Sequence, residues 1–318
     1  MRPPELVHVV ILSGGPRINQ LATRIGRSHL MLPLSPGKTI LDGWNESIEH
    51  AVASVRDERN LTIASRNILV SEKPLENLNK AVGPLGWRFC TDLKSHRGTA
   101  GAISDLFGSD LIPAPVSGPG HSEWILVLEA TACPAVNMGP FFIPGAREVD
   151  GCLGVSELDR LCGCILVRRR VLNSVPSLGF HDLKEQVLSM SGSRRPHLIA
   201  PVVASRAIRM VERSSFLEGV AAWSGRRRAP DGVEAGESAA SVVEAGAEVS
   251  GATLISSVVC KGAVVEPGAI IARSIIGPDV IVPSGRVVSE VLVEKKASAR
   301  ISARWRGGVV MRRGMTHD

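Results

Sequence analysis

The sequence predicts a doubly wound α/β domain with a mostly parallel sheet, followed by a short left-handed parallel β-helix, and three patterns carry that prediction. Apolar, strand-like runs alternate with helical stretches through the first two thirds of the chain. Gly14-Gly15 breaks the first apolar run, and a Gly-Thr-Ala-Gly string at 98–101 opens a helix after a later one. From Val243 onward, aliphatic residues recur at every sixth position.

The first run contains Val9, Val10, Ile11 and Leu12, aliphatic and uncharged, the pattern of a strand buried on both faces of a parallel sheet. Gly14 and Gly15 then allow a tight turn and close approach to a ligand. A helix is expected over 45–55, strands over 68–70 and 87–90, and a helix from Gly98. A strand follows over 123–134, a strand-and-turn over 151–172, a strand over 199–203 and a helix near Ser215. Asp182 is a natural N-cap, with Glu185 as its capping-box partner. Glu72-Lys73-Pro74 reads as a surface turn.

Residues 1–218 are therefore assigned to the α/β domain, and 219–238, rich in Gly, Ser, Arg and Ala, to a linker. In 239–294, Val243, Val249 and Ile255 open one set of hexads, Val259, Val265 and Ile271 the next, and Ile276, Val282 and Val288 the third. Units shortened at Ser256-Ser257 and Arg273-Ser274 separate them, giving about three coils. Val258, Val264 and Ile270 precede inward residues and are expected to point outward as an apolar stripe. Such a stripe calls for packing on the first domain or on a second subunit, so a homo-oligomer is expected. Residues 295–318 form a basic tail.

Composition narrows the function. The chain has 318 residues, 44% hydrophobic, with 3% aromatic residues and no tyrosine, so the core is aliphatic and no stacking surface for nucleic acid is expected. The net charge of +6 comes partly from clusters at 168–170, 226–228 and in the tail, which read as solvated faces. Cys90, Cys133, Cys152, Cys162, Cys164 and Cys260 show no C-x-x-C spacing, and buried thiols explain them better than a metal site. No apolar run reaches the roughly 18 residues of a membrane span, and the start lacks a signal peptide's apolar segment, so a cytoplasmic protein is expected.

The motifs resemble those of the sugar-1-phosphate nucleotidyltransferases, the mannose-1-phosphate guanylyltransferase-like pyrophosphorylases, many of which carry a C-terminal hexapeptide domain. The resemblance rests on the strand and Gly14-Gly15, on Met31-Leu32-Pro33-Leu34, on Gly37-Lys38-Thr39-Ile40-Leu41, and on Gly98-Thr99-Ala100-Gly101-Ala102-Ile103. It extends through 151–172, through Asp182-Leu183-Lys184-Glu185-Gln186 and through Ser215-Phe216-Leu217. It implies a Rossmann-like nucleotide-diphospho-sugar transferase fold and a nucleotide or nucleotide-sugar ligand. The implied nucleotide contacts are Ser13, Gly14, Gly15, Arg97, Gly98, Thr99, Ala100 and Gly101.

The charged positions of that family are replaced. Pro16-Arg17-Ile18 stands where the family has a glycine and arginine, and His29 where it has a lysine. Thr131 and about Arg209 stand where it has two magnesium-binding aspartates. Threonine cannot supply the carboxylate that a hard cation prefers. Two readings follow. One is an active enzyme that uses Mg2+, with Glu129 as a displaced ligand and Arg17, Arg24 and Arg27 as substitute phosphate contacts. The other is a nucleotidyltransferase-like binding protein with weakened or lost catalysis, working as a homo-oligomer or beside a nucleotidyltransferase partner. An acyltransferase is set aside because the β-helix region contains no histidine base.

Overall fold

The structure is a computed structural model that describes residues 5–13, 20–56, 60–70, 82–92, 94, 96–112, 122–142, 150–188, 199–203, 207–228 and 241–295. In chain order come β1 (Glu5–Leu12), α1 (Gln20–Ile25), β2 (Pro33–Ser35), β3 (Lys38–Thr39), α2 (Ile40–Ser54), β4 (Leu61–Val70) and β5 (Trp87–Thr91). They are followed by α3 (Gly98–Phe107), β6 (Ser122–Glu129), β7 (Gly151–Val155), β8 (Leu161–Arg168), β9 (Ile199–Val203) and α4 (Arg213–Arg228). The chain divides into two compact units, residues 1–18 with 44–207, and residues 19–43 with 208–318.

The first unit is built on a seven-stranded sheet of order β5-β4-β1-β6-β8-β7-β9. The pairs β1/β4, β1/β6, β4/β5 and β7/β9 are parallel, and β8 runs antiparallel to both neighbours. Val7, Val9, Val10 and Ile11 are fully buried, as expected of a central strand covered on both faces. Helix α3 lays Ala100, Ile103, Leu106 and Phe107 against Val10, Ile125 and Val127 of the sheet. A bulge in β4 sets Ser65 opposite His8. The His8 Nδ1 and Ser65 Oγ are 2.9 Å apart, so this buried imidazole has a polar partner inside the core.

A β2/β3 hairpin of the second unit leads into α2, which begins at Ile40 rather than at the expected 45 and belongs to the first unit from Trp44 onward. The reason is a reciprocal cap. The Thr39 N–H and hydroxyl donate to Asp42 Oδ2 at 2.8 and 2.7 Å, and the Asp42 N–H donates back to Thr39 Oγ1.

Helix α4 corrects the expected linker, since it continues through 219–228. Phe216, Val220 and Trp223 are buried at i, i+4 and i+7, a stripe that the Gly-, Ser- and Arg-rich composition conceals. The rest of the expected linker, and the tail beyond 295, lie outside the described residues.

The hexads form β10 (Val242–Val243), β11 (Glu248–Val249), β12 (Thr253–Ile255), β13 (Val258–Val259), β14 (Val264–Val265) and β15 (Ile270–Ala272). β16 (Ile275–Ile276), β17 (Ile281–Val282), β18 (Val287–Ser289) and β19 (Leu292–Val293) complete them. They make three parallel sheets, β10-β13-β16-β19, β11-β14-β17 and β12-β15-β18, the faces of a short left-handed β-helix. Val259, Val265, Ile271, Ile276, Val282 and Val288 form its core.

Ser256, Arg273 and Glu290 take φ of 44, 44 and 56° at the shortened corners, a left-handed conformation that side chains rarely adopt. A serine column offsets that strain. Ser257 Oγ donates to Ile255 O at 2.7 Å and accepts from the Ser274 N–H, while Ser274 Oγ donates to Ala272 O at 2.7 Å and accepts from the Val291 N–H.

The expected stripe of Val258, Val264 and Ile270 does not exist as one surface. These residues lie on three different sheets, because each hexad turns a corner, and an outward stripe follows the coil repeat instead. Val258 and Ile275 are fully buried, whereas Ile270 and Val287, paired on another face, are exposed. Residues 19–43 are tied to the β-helix by ion pairs. Arg27 Nη1 reaches both carboxylate oxygens of Glu244 at 2.7 Å, and Arg24 pairs with Glu294; from α4, Arg213 donates to the Arg273 carbonyl.

Candidate functional site

The order of the sheet locates a site. The chain builds outward from β1 to β4 and β5, then returns to place β6 on the other side of β1, so the connection reverses between β1 and β6. Open α/β sheets bind ligands beyond the carboxyl ends of their strands at such a reversal. Leu12, the last residue of β1, is in register with Glu129, the last of β6, and the Ala130 N–H donates to Leu12 O at 3.0 Å. Ser13 follows Leu12, its N–H bonded to Leu69 O. Gly14, Gly15 and Arg17 come next in sequence and lie outside the described residues.

At this edge Glu129 forms an ion pair with Lys184, the two side chains 20% and 24% exposed. Gly163, with φ of 76°, makes room for Glu129. A Cβ at Gly163 would approach Ala132 Cβ to 2.6 Å and Glu129 Cβ to 3.3 Å. Lys184 stands in a short π-helical turn, Leu183–Val187, whose start is firmly capped. The Asp182 carboxylate accepts from the N–H groups of Lys184 and Glu185 at 2.8 and 3.0 Å. The reciprocal bond to the Asp182 N–H comes from Gln186 Oε1 at 2.7 Å, not from Glu185 as expected. The extra residue in a π-turn shifts the returning side chain by one.

The Gly-Thr-Ala-Gly string, expected as a nucleotide contact, docks this same segment. The N–H groups of Ala100 and Gly101 both donate to the His181 carbonyl, at 2.9 and 3.3 Å. Thr99 Oγ1 donates to Asp182 Oδ2 at 3.0 Å and accepts from the Leu183 N–H at 2.8 Å. Gly98 has φ of 70°, and a Cβ there would meet the His181 carbonyl oxygen at 2.6 Å. The helix N-terminus that an anion could have used holds a backbone carbonyl of the protein.

Arg97 is buried, with its side chain 3% exposed, and is fully engaged by Asp105, by Gly179 O at 2.8 Å and by Pro176 O at 2.8 Å. It is a strut for the 176–183 segment.

The remaining expected positions separate. Thr131 sits in the turn after β6, half-buried and neutral. His29 belongs to the second unit, and burial pushes its pKa down to about 4, so it is uncharged at neutral pH. Arg209 is exposed, also in the second unit. Arg24 and Arg27 are engaged with glutamates of the β-helix, in the second unit. Met31 to Leu34 contributes Leu32 and Leu34, both fully buried, to that second unit.

All six cysteines are buried free thiols. Cys164 is pushed well above its ordinary pKa, first by burial, then by Cys162 and Glu129, with Lys184 opposing. No trio of His, Cys, Asp or Glu among the described residues is grouped to hold a metal ion. Among the described residues, Glu129 and neutral Thr131 at this edge do not fit a magnesium site. Lys184 itself was missed by sequence reasoning, although the Asp-Leu-Lys-Glu-Gln segment that carries it was legible.

Residues 228–309 match the family model described as GlmU-like, C-terminal hexapeptide. The hexad segment is hexapeptide-like. In the chain it follows the α/β sheet. No curated protein matches the sequence.

Among solved structures, the chain is similar to the homologue of Mycobacterium tuberculosis Rv0371c from Mycobacterium sp. strain JC1, at 13% identity and a TM-score of 0.42, over 69% of this chain and 96% of that one. Rv0371c from M. tuberculosis H37Rv is similar at 12% identity and a TM-score of 0.42, over 67% and 97%. A putative glucose-1-phosphate thymidylyltransferase from Bacillus anthracis is similar at 10% identity and a TM-score of 0.42, over 68% and 94%. No helix among the described residues is long and apolar enough to cross a membrane.

Proposed function

We propose that the first unit binds a nucleotide or nucleotide-sugar at the carboxyl ends of β1 and β6, with nucleotidyl transfer weakened or lost. The protein then works in the cytoplasm as a regulatory or structural subunit, as a homo-oligomer or beside a catalytic nucleotidyltransferase. The observation that carries this reading is the reversal of the sheet between β1 and β6, with the Glu129–Lys184 pair at its mouth.

Transfer of a nucleotidyl group needs in-line attack by a sugar phosphate on the α-phosphorus. It also needs positive charge on the departing pyrophosphate and a cation at the reacting oxygens. Neutral His29 supplies no such charge, and Thr131 supplies no carboxylate. Binding makes fewer demands, since it needs only donors and a backbone that approaches the phosphates.

Isothermal titration against nucleoside triphosphates and nucleotide-sugars tests the reading. At least one should bind, and replacing Gly14 and Gly15 together by valine should abolish that binding while the melting temperature is retained. Wild-type protein that binds no member of either class contradicts the proposal.

A further inference from the structure

The residues that do not fit magnesium make a different cation available in the same place. We infer that the Lys184 ammonium takes the role of the absent carboxylate-bound metal, holding the diphosphate of the ligand in a metal-independent site with Glu129 as its resting partner. This rests on the proposed function, and deepens it by naming the group that holds the phosphates.

Three observations support the assignment. Lys184 is fixed at its backbone while its side chain is partly exposed. The Asp182 carboxylate and the Thr99 hydroxyl hold the turn through Lys184 N–H and Leu183 N–H, and the side chain, 24% exposed, meets Glu129 at the strand ends. The partner is also one that a phosphate can displace. A partly exposed carboxylate–ammonium pair contributes little net stability, whereas a diphosphate offers several charged acceptors to an ammonium with three donors.

The surroundings, finally, suit an ammonium better than a divalent ion. The carboxylate beside it is Glu129, Thr131 is neutral, and the neighbouring Cys164 is held protonated. A hard cation seeks six or more oxygens, several of them anionic. An ammonium is satisfied by one carboxylate at rest and a phosphate when loaded.

The test is calorimetric titration of the full-length protein with inorganic pyrophosphate, then with the nucleotide-sugars, in magnesium-containing and in chelated buffer. Pyrophosphate should bind equally in both buffers. Lys184→Gln should weaken it about tenfold or more, as expected for a lost charge-assisted contact, and Lys184→Arg should restore part of the loss. Glu129→Gln should leave affinity unchanged or tighter, because it removes the competing carboxylate. A purely structural pair would instead show both neutral variants lowering the melting temperature without a change in affinity.

Pyrophosphate binding that needs magnesium, or that ignores Lys184→Gln, overturns the inference. Nucleotide-sugars that bind wild type and Lys184→Gln equally overturn it and leave the proposed function standing. Lys184-dependent pyrophosphate binding with no affinity for any nucleotide or nucleotide-sugar supports Lys184 as the phosphate-holding group and overturns the proposed function. Absence of all binding overturns both.

Discussion

Lys184 and Arg97 are cations at the two ends of one segment, and burial separates their roles. The Arg97 guanidinium is 3% exposed and held by Asp105 and two carbonyls, whereas the Lys184 side chain is 24% exposed. His29 differs from both because burial holds it neutral. Its folded pKa of about 4 lies below its ordinary 6.5, so the unfolded chain binds the extra proton first. The associated stability is complete above pH 6.5 and is lost as the pH falls towards 4, amounting to roughly 3 kcal/mol at the lower end. Urea midpoints at pH 7 and pH 4.5 should therefore differ more in wild type than in His29→Leu, and equal differences would contradict the burial argument. His29 was legible as a departure from a lysine, but its neutrality was not, because charge state depends on packing that a sequence position does not reveal.

At the scale of elements, α3 and the 176–183 segment form one device, in which Gly98 and Thr99 accept a backbone from more than eighty positions along the chain. Gly98→Ala must adopt an unfavourable left-handed conformation and displace the His181 carbonyl, at a cost of about 2 kcal/mol or more. A fall in melting temperature of about 4–8 °C is the expected result. An unchanged melting temperature accompanied by lost nucleotide binding would return the string to the ligand.

Helix α3 was readable from Gly98 onward, since small residues and an apolar face mark a helix start. What fills its N-terminus was not readable, because local pattern does not name a distant partner. The β-helix shows the same division. Hexads placed Val259, Val265 and Ile271 inside correctly, while the outer stripe required knowing that successive hexads occupy different faces. In α4, buried Phe216, Val220 and Trp223 override a composition that suggests a linker.

For the whole molecule, the opening stretch from His8 to Trp44 contributes to both units. Its strand enters the α/β sheet, and residues 19–43 are held to the β-helix through Arg24 and Arg27. A motif that reads continuously in sequence is thus shared between a sheet edge of one unit and a structural anchor of the other. The central claim is that the sheet edge retains phosphate recognition without the means for nucleotidyl transfer. Pyrophosphate release, measured with purified protein, magnesium, a panel of nucleoside triphosphates and sugar 1-phosphates, tests it most directly. The account predicts no release above a protein-free blank. Release at ordinary enzyme rates, about 1–1,000 per second, that Glu129→Gln abolishes would contradict it and make Glu129 a displaced metal ligand.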